Sequence, residues 1–318
     1  MSNTLLMLAI LPGILIIIYV YKKDKVEKEP WSLIFRLMIF GALSCIPASI
    51  MEMAVDSAMP AYQHGTLAYA AAMAFCSAAF CEELCKFFFL RLGTWKHPDF
   101  GYRFDGIVYG VAVAVGFAVL ENILYVSQYG FETAIVRAFM SVPLHAFCGV
   151  FMGIFYGAAK QAQIQGRSSG KFIVLALIVP MLIHGFYDTL AFLESSTASA
   201  ILLGFVVLMY FVSIHFVRQF SRDDWKSGFY PETRPLSDGA GYAGPQQTQN
   251  TQDNSGRRPY SGRQGQPRAG YRAYPGQVQD GKIILLCPHC RRGLRVPVGL
   301  GQVRVRCPHC GHEFSQMT

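Results

Sequence analysis

Two neighbouring glutamates interrupt a strongly apolar stretch of this sequence. Glu82 and Glu83 lie inside the segment AFCSAAFCEELCKFFFL, and Lys86 follows about one helical turn later. If the segment is helical, Glu82 and Lys86 project from the same side and can pair. Two adjacent carboxylates in apolar surroundings resist double ionisation, so one of them is suited to accept a proton from water. The pair is therefore a candidate for acid–base chemistry.

Further polar residues occur in three later apolar stretches. Glu121 and Asn122 are adjacent in the first of these, His145 lies in the second, and His184 precedes Asp188 by four residues in the third. An aspartate at that spacing can hold one imidazole nitrogen and leave the other for chemistry. A charge at the centre of a membrane helix costs about 2.5–3.5 kcal/mol or more. The repeated occurrence of such groups predicts a functional site.

Taken singly, each of these groups also has a structural explanation. A histidine can be a satisfied packing group, Glu121 and Asn122 can form a hydrogen-bonded clasp between helices, and Lys86 can merely neutralise Glu82. A functional site is favoured over these structural explanations because the glutamates, the histidines and the aspartate occur together in four successive apolar stretches. Besides an enzyme, the set could belong to a non-enzymatic membrane protein, either a transporter that uses the acids as a relay or a sensor scaffold. A transporter is expected to contain an internal repeat or broken helices, and neither is found in the spans.

The elements that must position these groups are membrane-spanning helices. Hydrophobic residues make up 52% of the 318 residues and charged residues 15%, whereas a soluble domain carries about 25% charged residues. The apolar runs are long enough to cross a hydrocarbon core of about 30 Å. The predicted spans are 4–21, 32–54, 67–91, 104–127, 135–159, 172–193 and 198–217. The predicted fold class is thus an all-α polytopic membrane protein with about seven transmembrane helices.

The distribution of basic residues predicts the orientation in the membrane. Lysines and arginines occur in the loops after the first, third and fifth spans, and the alternate loops contain none. Such residues favour the cytoplasmic side, so the N-terminus is predicted outside and the C-terminus in the cytoplasm. No basic residue precedes Lys22, and the first span is therefore not expected to be a cleaved signal peptide.

The composition changes after the last span and predicts three domains. Residues 221–281 are rich in Gly, Pro, Gln and Arg and contain almost no aliphatic residues. Such a segment cannot bury a core, so a disordered linker is predicted. Its Arg and Tyr could contact RNA or anionic lipid, but a flexible tether is the simpler interpretation. The linker separates a membrane domain, 1–220, from a small C-terminal domain, 282–318.

The C-terminal domain contains two CPHC motifs separated by sixteen residues. Two CxxC turns can complete a tetrahedron of thiolates around zinc. The expected ligands are Cys287, Cys290, Cys307 and Cys310. Because four ligands close the site, the zinc is predicted to be structural, in a zinc ribbon built of short β-strands. A redox dithiol is the alternative, and it lacks a thioredoxin-like setting. The basic surface predicts an acidic protein, nucleic acid or anionic lipid as partner.

Four motifs of the membrane domain together resemble the signatures of the PrsW-type intramembrane proteases. They are EELCK (82–86), FAVLEN (117–122), HAFCGVFMG (145–153) and HGFYD (184–188). Their order and their placement on successive spans also match, and the resemblance covers about residues 1–217. The family is similar to the CAAX prenyl endopeptidases, which likewise combine a double-glutamate motif with histidines on later helices.

The resemblance implies an endopeptidase of a bacterial cytoplasmic membrane, with the lipid bilayer around it. Its substrates would be membrane proteins, such as single-pass anti-sigma factors. Glu82 or Glu83 would be the general base, and His145 would help to bind the water. His184 would stabilise the oxyanion or protonate the leaving amine. The supporting residues would be Lys86, Glu121, Asn122 and Asp188.

The sequence does not decide whether catalysis uses a metal ion. Two histidines and a glutamate could hold zinc with a free position for water, but no HExxH motif occurs and the histidines come from different helices. Metal-free glutamate chemistry is slightly favoured. Counted along the helices, His145 and His184 lie about 15 Å below the outer surface and Glu82 about 22 Å. Their convergence therefore requires helix tilt or shifted helix boundaries.

Overall fold

The computed structural model describes most of the membrane region and parts of the C-terminal region. The described residues are 2–26, 28–59, 66–193, 195–227, 278–279, 282–286, 293–297, 299, 301–306 and 312–317. They belong to two compact units, Met1–Glu232 and Thr233–Thr318. The first unit is helical, and the second contains short strands.

The helices of the first unit follow one another through short connections. They are α1 (Asn3–Lys23), α2 (Trp31–Ala58), α3 (Leu67–Ala72), α4 (Phe80–Thr94), α5 (Arg103–Tyr129), α6 (Phe131–Phe139), α7 (Ser141–Ile164), α8 (Gly170–Phe192) and α9 (Ser196–Ser227). A π-helical segment, Met73–Ala79, joins α3 to α4 without leaving the helical region of backbone dihedrals. A turn at Met140 separates α6 from α7. The third predicted span therefore changes its hydrogen-bonding pattern without leaving the helical conformation, and the fifth is interrupted at Met140.

The predicted multi-pass helical architecture is confirmed. Among the described residues, six helical segments are long and apolar enough to cross a membrane. They cover six of the seven predicted spans. The remaining span, 67–91, falls on α3, the π-helical segment and α4, which are 6, 7 and 15 residues long, and α4 continues past the predicted end to Thr94.

α5 lies at the centre of the bundle, and it is buried almost continuously from Phe104 to Ala118. Glycines bring its backbone against that of α7. A Cβ atom on Gly106 would lie 2.6 Å from the carbonyl oxygen of Gly153, and a Cβ atom on Gly110 would collide with the carbonyl of Gly149. Small residues at four-residue spacing allow this close approach. We call this contact the glycine seam, and it fixes α7 relative to α5.

The membrane unit extends beyond its predicted end at residue 220. α9 continues to Ser227, into the range that was predicted as linker. Ser221 Oγ donates a hydrogen bond of 2.5 Å to the carbonyl oxygen of Lys23. Asp224 Oδ2 accepts one of 2.6 Å from the backbone N–H of Phe104. These bonds tie the end of α9 to the end of α1 and the start of α5.

The second unit contains short antiparallel strands. They are β1 (Val278–Gln279), β2 (Lys282–Leu286), β3 (Gly293–Pro297), β4 (Gln302–Arg306) and β5 (Glu313–Met317). β2 pairs with β1 and β3, and β4 pairs with β5. The strand-like runs beside the CPHC motifs are thus strands. The four predicted ligands, Cys287, Cys290, Cys307 and Cys310, and nearly all of the predicted linker lie outside the described residues, so the zinc ribbon stays a prediction.

Candidate active site

Four helices bring the predicted membrane-site residues to one buried place. They are Glu82, Glu83 and Lys86 on α4, Glu121 and Asn122 on α5, His145 on α7, and His184 and Asp188 on α8. The π-helical segment directly precedes the glutamates and packs on α8, where the missing side chain of Gly185 makes room for the ring of Phe75. π-Helical turns are frequent at functional sites, and this one lies beside both α4 and His184.

Lys86 lies at the centre of the polar residues. Its Nζ donates hydrogen bonds to Glu82 Oε2 at 2.9 Å and to Glu83 Oε1 at 2.8 Å. It also lies 3.0 Å from His145 Nδ1 and 4.0 Å from the ring centroid of Phe117. The pairing of Glu82 with Lys86 expected from their spacing is thus present, and the ammonium group is shared among three partners.

His145 is held from both sides of its ring. Its Nε2 lies 3.0 Å from Glu121 Oε2, opposite the nitrogen that faces Lys86. An ammonium group has only hydrogens to offer, so Nδ1 must accept from Lys86, and Nε2–H donates to Glu121. Lys86 and Glu121 together therefore fix the tautomer of His145, with the proton on Nε2 and the Nδ1 lone pair accepting from Lys86 at the centre of the site.

His184 lies between two carboxylates. Its Nδ1 is 2.9 Å from Glu83 Oε1, and its Nε2 is 3.2 Å from Asp188 Oδ2. The contact with Asp188 expected from the four-residue spacing is present. A ring with carboxylate oxygens at both nitrogens can donate on both sides only when it carries both protons. The two histidines are therefore not equivalent, since one accepts towards the centre and the other can donate there.

The four predicted catalytic residues converge. One ligand atom each from Glu82, Glu83, His145 and His184 lies within 4.8 Å of all the others. Glu82 Oε2 is 3.8 Å from His145 Nδ1 and 3.9 Å from His184 Nδ1. The two imidazole rings are 5.2 Å apart and nearly perpendicular. The side chains meet despite the difference in depth estimated from helix lengths.

Arg137 joins the network, and the sequence reasoning did not assign it to the site. Its Nη2 donates to Glu121 Oε2 at 2.5 Å, and its Nε donates to Asn122 Oδ1 at 3.0 Å. Asn122 Nδ2 in turn donates to the carbonyl oxygen of Ala9 at 3.0 Å. An ionisable residue inside an apolar run was an available signal, but the position of Arg137 just inside the fifth predicted span was given no functional meaning.

The network is most exposed at one end. Glu121, Asp188 and Arg137 keep 19%, 15% and 12% of their side chains exposed. The side chains of the inner residues are at most 9% exposed, and that of Glu83 is completely buried. Glu121, Asp188 and Arg137 are therefore the parts of the network that a molecule outside the helix bundle can contact most readily.

The donor set fits a divalent metal ion. Carboxylates and imidazoles are ordinary zinc ligands. Both histidines turn Nδ1 inward and hold a carboxylate at Nε2, which is the arrangement that metal-binding histidines usually have. Glu83 Oε2 is buried without a hydrogen-bond partner and is thus an available ligand atom. Lys86 Nζ, itself a cation, lies among three of the donor atoms.

The charges of the network lead to the same conclusion. The connected acids are Glu82, Glu83, Glu121 and Asp188, and the connected bases are Lys86 and Arg137. With neutral imidazoles, these residues leave two uncompensated negative charges. Buried charge without compensation is costly, and one divalent cation would neutralise it.

Comparisons with known proteins match the membrane unit. Residues 29–216 match the family described as PrsW family intramembrane metalloprotease. A Protease PrsW from Geobacillus kaustophilus is 37% identical over 187 residues, which are 59% of this chain and 79% of that protein. The Protease PrsW of Bacillus subtilis is 36% identical over 179 residues, 56% of this chain and 78% of that protein. The Protease PrsW of Halalkalibacterium halodurans is 33% identical over 215 residues, 68% and 96% of the two chains. No solved structure matches.

The match confirms the resemblance that the four motifs indicated, and it decides between the two functions left open by the sequence. The matched residues contain every polar side chain of the network and more than half of the chain. A transporter or sensor scaffold has no comparable support. This multi-pass membrane protein is a protease and belongs to the PrsW family of intramembrane metalloproteases.

Proposed function

We propose that the chain hydrolyses a peptide bond of a membrane protein with a water molecule activated by Glu82, Glu83, His145 and His184. The observation that carries this proposal is the buried network in which two carboxylates and two imidazoles from three helices face one point. Charged and polar groups act strongly in such a water-poor setting, because little solvent screens them.

Glu82 is better placed than Glu83 to act as the general base. Its Oε2 lies between the Nδ1 atoms of His145 and His184, whereas Glu83 is fully buried and in contact with both Lys86 and His184. We assign the acceptance of the proton from water to Glu82. Glu83 holds Lys86 and His184 in place and offers its second oxygen as a ligand atom.

The two histidines take different roles because their surroundings differ. His145 presents a lone pair at Nδ1 and helps to bind the water. His184 can carry protons at both nitrogens, so it is suited to stabilise the oxyanion or to protonate the leaving amine. Glu121 and Asp188 orient the two rings through their Nε2 atoms. Asn122 supports the site by holding Arg137.

We further propose that Glu82, Glu83, His145 and His184 hold a divalent metal ion, with zinc as the first candidate; His184 would bind the ion through a deprotonated Nδ1, so its role as a proton donor on both sides applies to the site without the ion. The family description supports a catalytic metal. We therefore prefer a metal-dependent mechanism to the metal-free glutamate chemistry that the sequence slightly favoured. When bound, the ion would polarise the scissile carbonyl as a Lewis acid. Lys86 and Arg137 supply the remaining positive charge of the network.

The orientation and the substrate class remain proposals that rest on the sequence. The N-terminus would lie outside a bacterial cytoplasmic membrane and the C-terminal unit in the cytoplasm, because the basic loops alternate. The substrate would be a single-pass membrane protein, such as an anti-sigma factor. Residues 282–318 would form a four-cysteine zinc ribbon on the cytoplasmic side that binds an acidic protein or nucleic acid.

The direct test expresses the full chain with a library of tagged single-pass reporter proteins and looks for cleavage. Four variants are compared with the wild type, namely Glu82→Gln, Glu83→Gln, His145→Ala and His184→Ala. Matched controls are Glu132→Gln and His215→Ala, whose side chains are exposed. We expect cleavage by the wild type and both controls, and its loss in the four variants with the fold retained. Cleavage that survives all four changes contradicts the assignment.

A further inference from the structure

α6 is a short helix that lies beside the site without belonging to the main helices of the bundle. It has two buried residues, Ala134 and Ala138. Phe131, Val136 and Phe139 on the same helix are exposed. Two polar connections join it to other helices: the side chain of Arg137 contacts α5, and the carbonyl oxygen of Phe139 accepts a hydrogen bond from the hydroxyl of Tyr210 on α9.

The guanidinium group of Arg137 is held at three points on α5. It donates to Glu121 and to Asn122, and it lies 4.1 Å from the ring centroid of Tyr125. A planar guanidinium can make two directed hydrogen bonds and stack on an aromatic ring at once, which an ammonium group cannot do. These contacts leave little freedom to the guanidinium or to the carboxylate that it contacts.

The same oxygen atom of Glu121 serves both Arg137 and His145. Glu121 Oε2 lies 2.5 Å from Arg137 Nη2 and 3.0 Å from His145 Nε2. The guanidinium therefore helps to hold this oxygen in place, and the oxygen, together with Lys86 at the opposite ring nitrogen, sets the tautomer and the orientation of His145.

We propose that Arg137 is a positioning residue of the active site, which acts on His145 through Glu121. This inference rests on the proposed function for the role of His145 in hydrolysis, but the link from Arg137 to the imidazole stands on the contacts alone. Arg137 also neutralises Glu121, so that the carboxylate can remain charged in the partly buried site. The competing role is contact with the substrate, because Arg137 lies at the more exposed end of the network.

The experiment compares full-length wild type with Arg137→Met, Arg137→Lys and Glu132→Gln in lipid nanodiscs. Glu132 lies on the same helix, is exposed and contacts none of the site residues through a described hydrogen bond. NMR of labelled histidine side chains reports the tautomer of His145 without any substrate. kcat and KM are measured on the reporter protein that the wild type cleaves, and thermal unfolding shows whether each variant is folded.

We expect a single Nε2-protonated tautomer of His145 in the wild type and in Glu132→Gln, and a second tautomer in Arg137→Met. kcat of Arg137→Met should fall by about 10–100-fold, the usual effect of losing a partner behind an active-site ligand, with KM nearly unchanged. Arg137→Lys should recover part of the loss because it keeps the charge.

An unchanged tautomer in folded Arg137→Met overturns the proposal, and so does a rise of KM at constant kcat, which would assign Arg137 to substrate binding. An equal loss in Glu132→Gln also overturns it, since the cause would then be a general disturbance of α6. If no reporter is cleaved by the wild type, the proposed function fails, while the NMR comparison still decides the role of Arg137.

Discussion

The glycine seam and the polar network share two helices, α5 and α7, and they differ in how much freedom they allow. At the seam, backbone meets backbone, and a single added methyl group has no space. In the network, long side chains meet through hydrogen bonds, and three of them are partly exposed. Gly149 follows His145 by about one turn of α7, so the rigid part carries a ring that is proposed to be catalytic. A precise site thus needs a packed backbone beneath adjustable polar groups.

The largest effect is expected from filling the seam. Gly153→Ala would place a methyl carbon against the carbonyl oxygen of Gly106 and 2.5 Å from Cα of Ile107, and backbone cannot give way as a side chain can. We expect destabilisation of about 3 kcal/mol or more, with loss of cleavage because the site is no longer assembled. Thermal unfolding in nanodiscs measures it.

Gly204→Ala provides the matched control, because no atom lies within 4 Å of a Cβ atom at that position in α9. The same chemical change there should leave stability equal or raise it by up to about 1 kcal/mol, since alanine favours helix. If the two variants unfold alike, the seam does not hold the bundle together.

The next largest effect is expected from Glu82→Gln, which changes the network and leaves the seam intact. Removing the proposed base should lower kcat by about 10²–10⁴-fold, while the unfolding temperature should stay near that of the wild type. Cleavage assays and thermal unfolding on the same samples test both parts. A large loss of stability would show that the network is needed for folding. It would contradict the view that the glycine seam stabilises the bundle and the network serves the chemistry.

A smaller loss is expected from Asp188→Asn. The asparagine keeps the size of the side chain, but it no longer offers two equivalent acceptor oxygens to His184 Nε2. kcat should fall by about 10–100-fold, as for other partners that orient an active-site histidine. Activity close to that of the wild type would mean that Glu83 alone positions His184.

The small residues of the seam and several contacts of the network can be recognised in the sequence because both follow from helical spacing. Gly149 and Gly153 recur at four-residue steps, and Asp188 stands one turn after His184, so each relation is visible within one helix. The resemblance carried over the glutamates and histidines as a set. Helical spacing says nothing about contacts between helices, so the partners of His145 could not be deduced from it.

Arg137 shows this limit clearly. It reaches the site only because a turn at Met140 separates α6 from α7 and lets α6 lie beside α5. The apolar run continues across this turn without interruption, so no change of composition reveals the break. The π-helical segment, Met73–Ala79, is hidden in the same way. In both places, packing between helices overrides the local pattern.

The smallest change, and the sharpest test of the metal, is expected from Lys86→Met. Lys86 Nζ lies between Glu82, Glu83 and His145, and these residues are proposed to bind the ion. Two positive charges so close repel each other, so the ammonium group competes with the metal. Removing it should raise the affinity for zinc by about tenfold and lower the unfolding temperature of the metal-free protein, which loses a partner for two buried carboxylates.

Affinity is measured by competition with a chelator in the full chain carrying Cys287→Ser and Cys307→Ser, which removes binding by the predicted ribbon. Lys160→Met is the control, because its amino group bonds the carbonyl oxygen of Trp95, away from the network. Weaker zinc binding in Lys86→Met would mean that the ammonium group assists the metal. Absence of zinc from the parent protein would point back to glutamate chemistry without a metal. Tighter zinc binding in Lys86→Met would show that the ammonium group and the metal ion compete for the same carboxylate and imidazole atoms of the polar network.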